Sequence, residues 1–218
     1  MIRQIDQERL IELIWLFPGK EWGNLLGHPI LCYHGGMDNC NTFQPLAPYL
    51  SANHHYVAVD VVGHGRSSHL PIGTIFEFYR TVIDVRRVVE HFKFSKISIL
   101  GHSMGANIGL LYGSIYPTAI ERLLLLDLIK PVVLPLAWHT KNTAEAMEMF
   151  LALEKKKLKG KQRSYEMEEL VARYVDAVQG KITVESAKIL MERGTQVVEN
   201  GYGYSHDPQM VIILNSIS

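Results

Sequence analysis

The feature that most constrains this chain is Gly101-His102-Ser103-Met104-Gly105, set between an apolar strand pattern and an apolar helix pattern. Residues 96–100 are short, β-branched and alternating; residues 106–116 are rich in small and apolar types, and Pro117 stops them. A G-x-S-x-G in that context predicts a sharp strand-to-helix turn that lifts a serine Oγ clear of the backbone at the strand's carboxyl end. The two glycines suit the turn because side chains there would strike the neighbouring strand and helix. Ser103 is the candidate nucleophile.

The surrounding pattern supplies a sheet for that turn. Strands are predicted at 29–33, 56–60 and 123–126 besides the one before the elbow. Phe43, Leu46, Ala47 and Leu50 mark a helical face after the first strand. Ile75, Tyr79, Val82, Val85, Val89 and Phe92 follow helical spacing after the second. Short apolar strands alternating with helices predict an α/β fold, a mostly parallel sheet with helices on both faces. Ligands in such sheets bind beyond the strands' carboxyl ends, where the motifs fall. Residues 1–28 stay open between strand and helix.

After Pro131 the character changes. Asn142 followed by Glu145 has the form of a capping box and predicts a helix from there to about 159. Two more helices are predicted at 164–179 and 184–193. Three consecutive helices suggest a helical lid inserted over the active edge. The expected division is a core at 1–131, a lid at 132–204 and the start of a return to the core at 205–218, with 210–214 able to begin a strand.

His34-Gly35-Gly36-Met37 follows the first of these strands. Acyl transfer needs N–H groups aimed at a carbonyl oxygen as it becomes negative. In a strand–elbow–helix fold one donor follows the nucleophile, here Met104, and the other comes from a strand-end loop, here Gly36. Asp60 to Ser67, which ends the next strand, contains Gly63 and Gly65 and a carboxylate able to tie the loop down. That reads as a structural loop at the pocket rim and not as a source of the base.

Composition removes other classes. The chain has 218 residues, 47% hydrophobic and 20% charged, with formal net charge +0. A neutral chain carries no global field for nucleic acid or an anionic membrane. The run from Lys155 to Arg163 reads as a solvated face. Met147, Met149, Met167 and Met191 read as gap-fillers. Cys32 and Cys40 have no metal-ligand spacing, so no metal is expected, and they suit a reducing compartment. Residues 123–136 are interrupted by Asp127, Lys130, Pro131 and Pro135, well short of a membrane span. The start does not read as a signal peptide. Cytoplasm is the expected location, with vesicle or peroxisome association left open; the oligomeric state is undetermined.

Together these motifs give a resemblance. The chain resembles the α/β-hydrolase superfamily, and more narrowly the serine hydrolase-like proteins of animals. That group's H-G-x-x-D-N, D-x-x-G-H-G-x-S, G-H-S-x-G and L-L-D patterns match His34 to Asn39, Asp60 to Ser67, Gly101 to Gly105 and Leu125 to Asp127. Glu192-Arg193-Gly194-Thr195, Gly201-Tyr202 and Ser205-His206-Asp207-Pro208 extend the match to about Pro208. Two positions depart: Gly36 stands where the group usually carries Trp, and His206 where it usually carries Arg.

The resemblance implies a serine hydrolase of the carboxylic-ester type, with a small ester-like substrate and no cofactor. It also implies two further strands supplying a triad acid and histidine, in the order Ser…Asp…His, beyond the residues present here. Within the sequence, Asp127 is the candidate acid, and only His139 and His206 follow it as candidate bases. The remaining histidines precede the elbow or, like His102, sit beside it and are expected to face away. A serine without a base is a poor nucleophile because its hydroxyl stays protonated. The alternative reading is a catalytically silent fragment or binding protein that keeps the fold and pocket. The 218-residue chain alone is expected to turn over nothing.

Overall fold

A computed structural model describes residues 18–128, 136–157 and 163–212. The first strand, β1 (Gly19–Gly23), resolves the ambiguity of the N-terminal stretch. It is too short and polar to be found by period, and a cross-strand pair holds it. Trp22 lies opposite Tyr56, their rings stacked at 5.5 Å and 7°. Glu21 reaches the buried His55 ring at 3.1 Å. Such aromatic and charged pairs are what stabilise one strand on another.

β2 (Pro29–Tyr33), β3 (His55–Val59), β4 (Ile97–His102) and β5 (Ile120–Leu126) complete a sheet of order β1-β3-β2-β4-β5. β1 runs antiparallel to β3; the other pairings are parallel. β3 is buried along its whole length and β4 at all but its last residue. That accounts for their apolar character on both faces. β5 pairs only with β4 among the described residues, and Leu124 on it is 58% exposed.

α1 (Phe78–Phe92) and α2 (Met104–Ile115) pack on one face of the sheet. Val82, Val85, Val88 and Val89 from α1 and Met104, Ile108 and Tyr112 from α2 meet Leu31, Val57, Val59 and Ile99 there. α1 starts later than its sequence pattern: Ile75 is exposed and lies outside the helix. On the opposite face, Cys32, Ala58 and Leu100 are covered by Cys40 and Phe43. The helical face expected over 43–50 is here two 3-10 turns, Cys40–Phe43 and Ala47–Tyr49. Pro45 and Pro48 lack the N–H that an α-helix through this segment would need.

α3 (Leu136–Lys157) begins before the capping-box signal at Asn142, immediately after Pro135 in the sequence. Ala137 to Lys141 contains no breaker, so the proline marks the boundary better than the Asn. α4 (Met167–Ala177) and α5 (Val184–Gly194) follow, then a hairpin the sequence did not announce, β6 (Thr195–Val198) and β7 (Gly201–Tyr204). Glu199 and Asn200 (φ 64°) make its turn, and Gly201 (φ 142°) opens β7. α4, α5 and β7 share a small core of Leu170, Val171, Ala187 and Met191, with Met167 against it. Those two methionines fill gaps as expected; Met147 and Met149 are exposed. Lys155, Lys156 and Arg163 are exposed too. The strand expected over 210–214 does not form in its described part: residues 209–212 are a helical turn. Asp207 caps it by accepting from the Gln209 N–H at 3.0 Å, with Pro208 at the first position.

Candidate active site

The elbow is built by close approach. Ser103 sits at φ 47°, ψ −109°, a region a non-glycine residue occupies only when its surroundings force it. A Cβ on Gly105 would lie 2.0 Å from the Tyr33 carbonyl oxygen, and one on Gly101 2.4 Å from the Gly105 oxygen. The helix therefore seats its first turn directly on β2 and β4. The Ser103 amide donates to the Leu126 carbonyl at 2.8 Å, which fixes the elbow to the end of β5. Asp127 follows that carbonyl in a left-handed conformation, φ 60°, exposed at the margin of the same cleft.

The loop after β2 is held from below. The His34 ring is fully buried and accepts from the Val61 N–H through Nε2 at 2.9 Å. Its proton is therefore on Nδ1, which donates to the Gly35 carbonyl at 2.8 Å. Burial, first among the causes, lowers its pKa and keeps the ring neutral. Gly36 comes next, on the cleft wall. Among the described residues, neither the Gly36 nor the Met104 amide donates to another group. Met104 opens α2, where a helix leaves its amides free for a ligand.

Asp60 lies at the end of β3, fully buried. It accepts from the Cys40 and Arg66 amides at 2.8 Å each, and its own carbonyl takes the Ser67 hydroxyl at 2.6 Å. Arg193, from the end of α5, donates to it from Nε at 3.1 Å and Nη2 at 2.7 Å. Burial pushes the carboxyl pKa up; the Arg193 charge and hydrogen bonds outweigh that and hold it below its ordinary value. Asp60 is thus committed to structure, as its loop position suggested.

The last turn of α5 receives donors from several directions. Thr195 Oγ1 serves the Met191 carbonyl at 2.8 Å, Arg66 serves Glu192 at 3.3 Å, and Ser205 serves both Arg193 and Gly194 at 2.8 and 2.9 Å. One turn earlier, Asn41 and Asn39 donate to the Ile189 and Leu190 carbonyls at 2.7 and 2.9 Å. These are carbonyls a helix end leaves unsatisfied or half-satisfied. The Glu192-Arg193-Gly194-Thr195 and Ser205-His206-Asp207-Pro208 motifs thus dock the α4–α5 unit onto the loops after β2 and β3.

Between them lies a cleft of about 950 Å³. Gly36, His102 and Asp127 border it from the sheet side, Tyr174, Leu190 and His206 from the other. His102 lines this cleft, contrary to the expectation that it faces away: its Nδ1 lies 3.9 Å from Asp38 Oδ2. His206 also reaches the cleft, and burial lowers its pKa to about 4. His139 lies in a stretch whose side chains are outside the described residues. Among the described residues no histidine bonds Ser103 Oγ, and no cluster of three potential metal ligands occurs. No helix among them is long and apolar enough to cross a membrane.

The comparisons agree with this fold. The model for the alpha/beta hydrolase fold matches residues 28–187. A probable serine hydrolase of Drosophila melanogaster is 33% identical over 198 residues, covering 89% of this chain and 60% of that one. A serine hydrolase-like protein of Danio rerio is 34% identical over 189 residues, covering 87% and 58%. The chain therefore spans about three fifths of the length of these curated relatives. A hypothetical protein from Pseudomonas aeruginosa PAO1 superposes with TM-score 0.80 at 30% identity, over 94% of this chain and 75% of its own. The thioesterase domain from the curacin biosynthetic pathway, at 24% identity and TM-score 0.76, covers 93% and 69% and shares the fold. From its elbow to its sheet order, and by the family model over most of its length, the chain belongs to the α/β-hydrolase fold family.

Proposed function

We propose that this chain carries the nucleophile and oxyanion hole of a serine hydrolase acting on a small ester or similar acyl compound. The observation that carries the reading is Ser103 at φ 47° on a turn whose glycines admit no side chain, beside a cleft bordered by Gly36. Ser103 Oγ attacks the carbonyl carbon and passes its proton to an imidazole base. The oxygen, now negative, takes the Gly36 and Met104 N–H groups, and collapse expels the alcohol with that proton. Water then cleaves the acyl-serine by the same steps in reverse. Preorganised donors of this kind are worth about 3–4 kcal/mol of barrier each.

The base is a histidine that the described residues do not bring to Ser103. Asp127, the candidate acid within the sequence, fits that role poorly. A triad acid is normally buried and bonded to its histidine, whereas Asp127 is exposed. Asp127→Asn, which keeps a side chain tolerant of the left-handed backbone, is therefore expected to slow the reaction by less than about tenfold, against about 10⁴ for a full triad acid. A 10⁴-fold loss would assign it that role.

A fluorophosphonate probe tests the main reading. Labelling of the protein that Ser103→Ala abolishes supports it; label persisting on the Ala variant places the nucleophile elsewhere. The second reading, a binding protein without turnover, is favoured by the unpartnered Ser103 hydroxyl among the described residues. A wild-type protein that binds small esters without labelling would select it.

A further inference from the structure

We propose that the hydrogen bond from Tyr174 to Asp38 is a latch by which α4 holds the Gly36 amide in register with Ser103; this rests on the oxyanion role given above to Gly36. Asp38 stands two residues after Gly36, and its amide closes a turn onto the Gly35 carbonyl at 3.3 Å. Met37, between them, has φ 65°. A loop with a non-glycine residue in that region keeps its shape only where neighbours over-determine it.

Asp38 gathers those neighbours. Its Oδ1 accepts the Tyr174 hydroxyl at 2.5 Å, and its Oδ2 faces His102 Nδ1 at 3.9 Å. The His102 ring in turn packs over Gly35, where a Cβ would meet Nδ1 at 2.7 Å. One carboxylate thus touches the oxyanion loop, the residue before the nucleophile and a helix 136 positions away. A bond from a hydroxyl to an ionised carboxylate is shorter and stronger than one between neutral groups. Burial, then the Asp38 charge, raise the Tyr174 pKa, so the hydroxyl keeps its proton and remains a donor.

The neighbouring anchors differ in kind. Asn39 and Asn41 bond backbone carbonyls of α5 and secure the segment as a whole. Tyr174 adds a directed contact to Asp38, a loop side chain that faces His102. Removing its hydroxyl leaves both asparagine anchors and the ring's packing in place, so the fold survives and the loop's register relaxes. Tyr174 is a positioning residue, acting on the reaction through Asp38 and the loop.

The test compares Tyr174→Phe, Asp38→Ala and Asp38→Asn with wild type, and Tyr49→Phe, at an exposed tyrosine, as the control. Two readouts are taken: the rate of Ser103-dependent fluorophosphonate labelling, and hydrogen exchange of the amides at 35–38. Tyr174→Phe and Asp38→Ala are each expected to slow labelling about tenfold and speed exchange at 35–38 by a similar factor, within the range a misplaced catalytic group costs. Combining them adds nothing further. Asp38→Asn, which still accepts from Tyr174, restores most of both when Tyr174 is present and nothing in the Tyr174→Phe background; a packing defect at Asp38 would be rescued by Asn in either background. Wild-type labelling and exchange in Tyr174→Phe overturn the latch. If wild type itself shows no Ser103-dependent label, the hydrolase reading fails, and exchange at 35–38 alone decides whether Tyr174 holds the loop.

Discussion

Arg193 gives two of its guanidinium N–H groups to one carboxylate oxygen of Asp60, with the two side chains 1% and 0% exposed. The pair joins the end of α5 to the end of β3 across 133 positions of sequence. Taking both charges out of water is expensive, and Coulomb attraction alone rarely returns it. Here the Arg66 amide shares that oxygen and the Cys40 amide serves the other, so both carboxylate oxygens are hydrogen-bonded.

The first prediction follows from removing one partner. Arg193→Ala strands a buried carboxylate and is expected to lower the unfolding free energy by about 3–5 kcal/mol, read as a fall in the urea midpoint. Lysine at this position keeps the charge but not the two-toothed geometry, and is expected to recover less than half. An Arg193→Ala protein as stable as wild type would mean the pair contributes only shape.

Protonating the carboxylate gives a second, independent measurement. The folded Asp60 pKa lies below 3.8, its ordinary value, so the unfolded chain binds the proton first. Its contribution is complete above that value and drains away as pH falls through it toward the folded pKa. Urea unfolding is therefore expected to steepen in its acid dependence below about pH 4, and Asp60→Asn to remove that component. An unchanged acid limb in Asp60→Asn would assign it to other carboxylates.

Two glycines of one helix separate the elbow's demands from ordinary helix propensity. At Gly105 an added methyl would enter the Tyr33 carbonyl at 2.0 Å, and backbone cannot step aside cheaply. Gly105→Ala is expected to lose cooperative melting or all Ser103 labelling. At Gly113 the nearest atom is the mobile end of Leu123 at 3.1 Å. There the helix gain of about 1 kcal/mol for alanine over glycine offsets the crowding, and Gly113→Ala is expected to stay within about 1 kcal/mol of wild type. Equal effects at the two positions, by thermal melt, would remove the steric account of the elbow.

How much of this was readable beforehand depends on whether the cause was local. The elbow, β2, β3, β4, α2 and α5 fall where the sequence placed them within a few residues, because each has a period or a glycine–proline boundary of its own. β1 was not legible: GKEWG has no alternation, and the partner that makes it a strand, Tyr56, is far along the chain. Over 43–50 the apolar spacing of a helix competes with Pro45 and Pro48, and the prolines win. The Asp207-Pro208 cap is a plain local signal for the turn at 209–212. Arg193 stands in a motif of the resemblance but nothing local gives it a partner, and Tyr174 carries no signal at all, since a charge inside a helix or a tyrosine on its flank looks like surface until Asp60 or Asp38 is brought against it. The orientation of His102 toward the cleft depends in the same way on Asp38.

His206 provides the last prediction, because its pH dependence has the opposite source from that of Asp60. Burial lowers its pKa to about 4, the neighbouring His69 lowers it further, and Asp207 raises it. In the unfolded chain the ring titrates near 6.5. Between those values the unfolded state holds the proton and the folded state does not, so stability rises with pH across this window and is lost as pH falls through it. At pH 5 unfolding should take up nearly one proton at this site, a slope of about 1 kcal/mol per pH unit. His206→Gln, neutral at every pH, is expected to flatten the stability profile between pH 4 and 6 by that amount; an unchanged slope would place the proton elsewhere. A ring with so low a pKa is also a weak general base near neutrality, where a pKa close to the working pH serves best. The labelling rate of Ser103 is therefore expected to fall less than threefold in His206→Gln, a small effect against the 10²–10⁴ that general-base catalysis supplies. If instead labelling showed an acid limb near pH 4 that vanished in the variant, the cleft histidine would be the base after all.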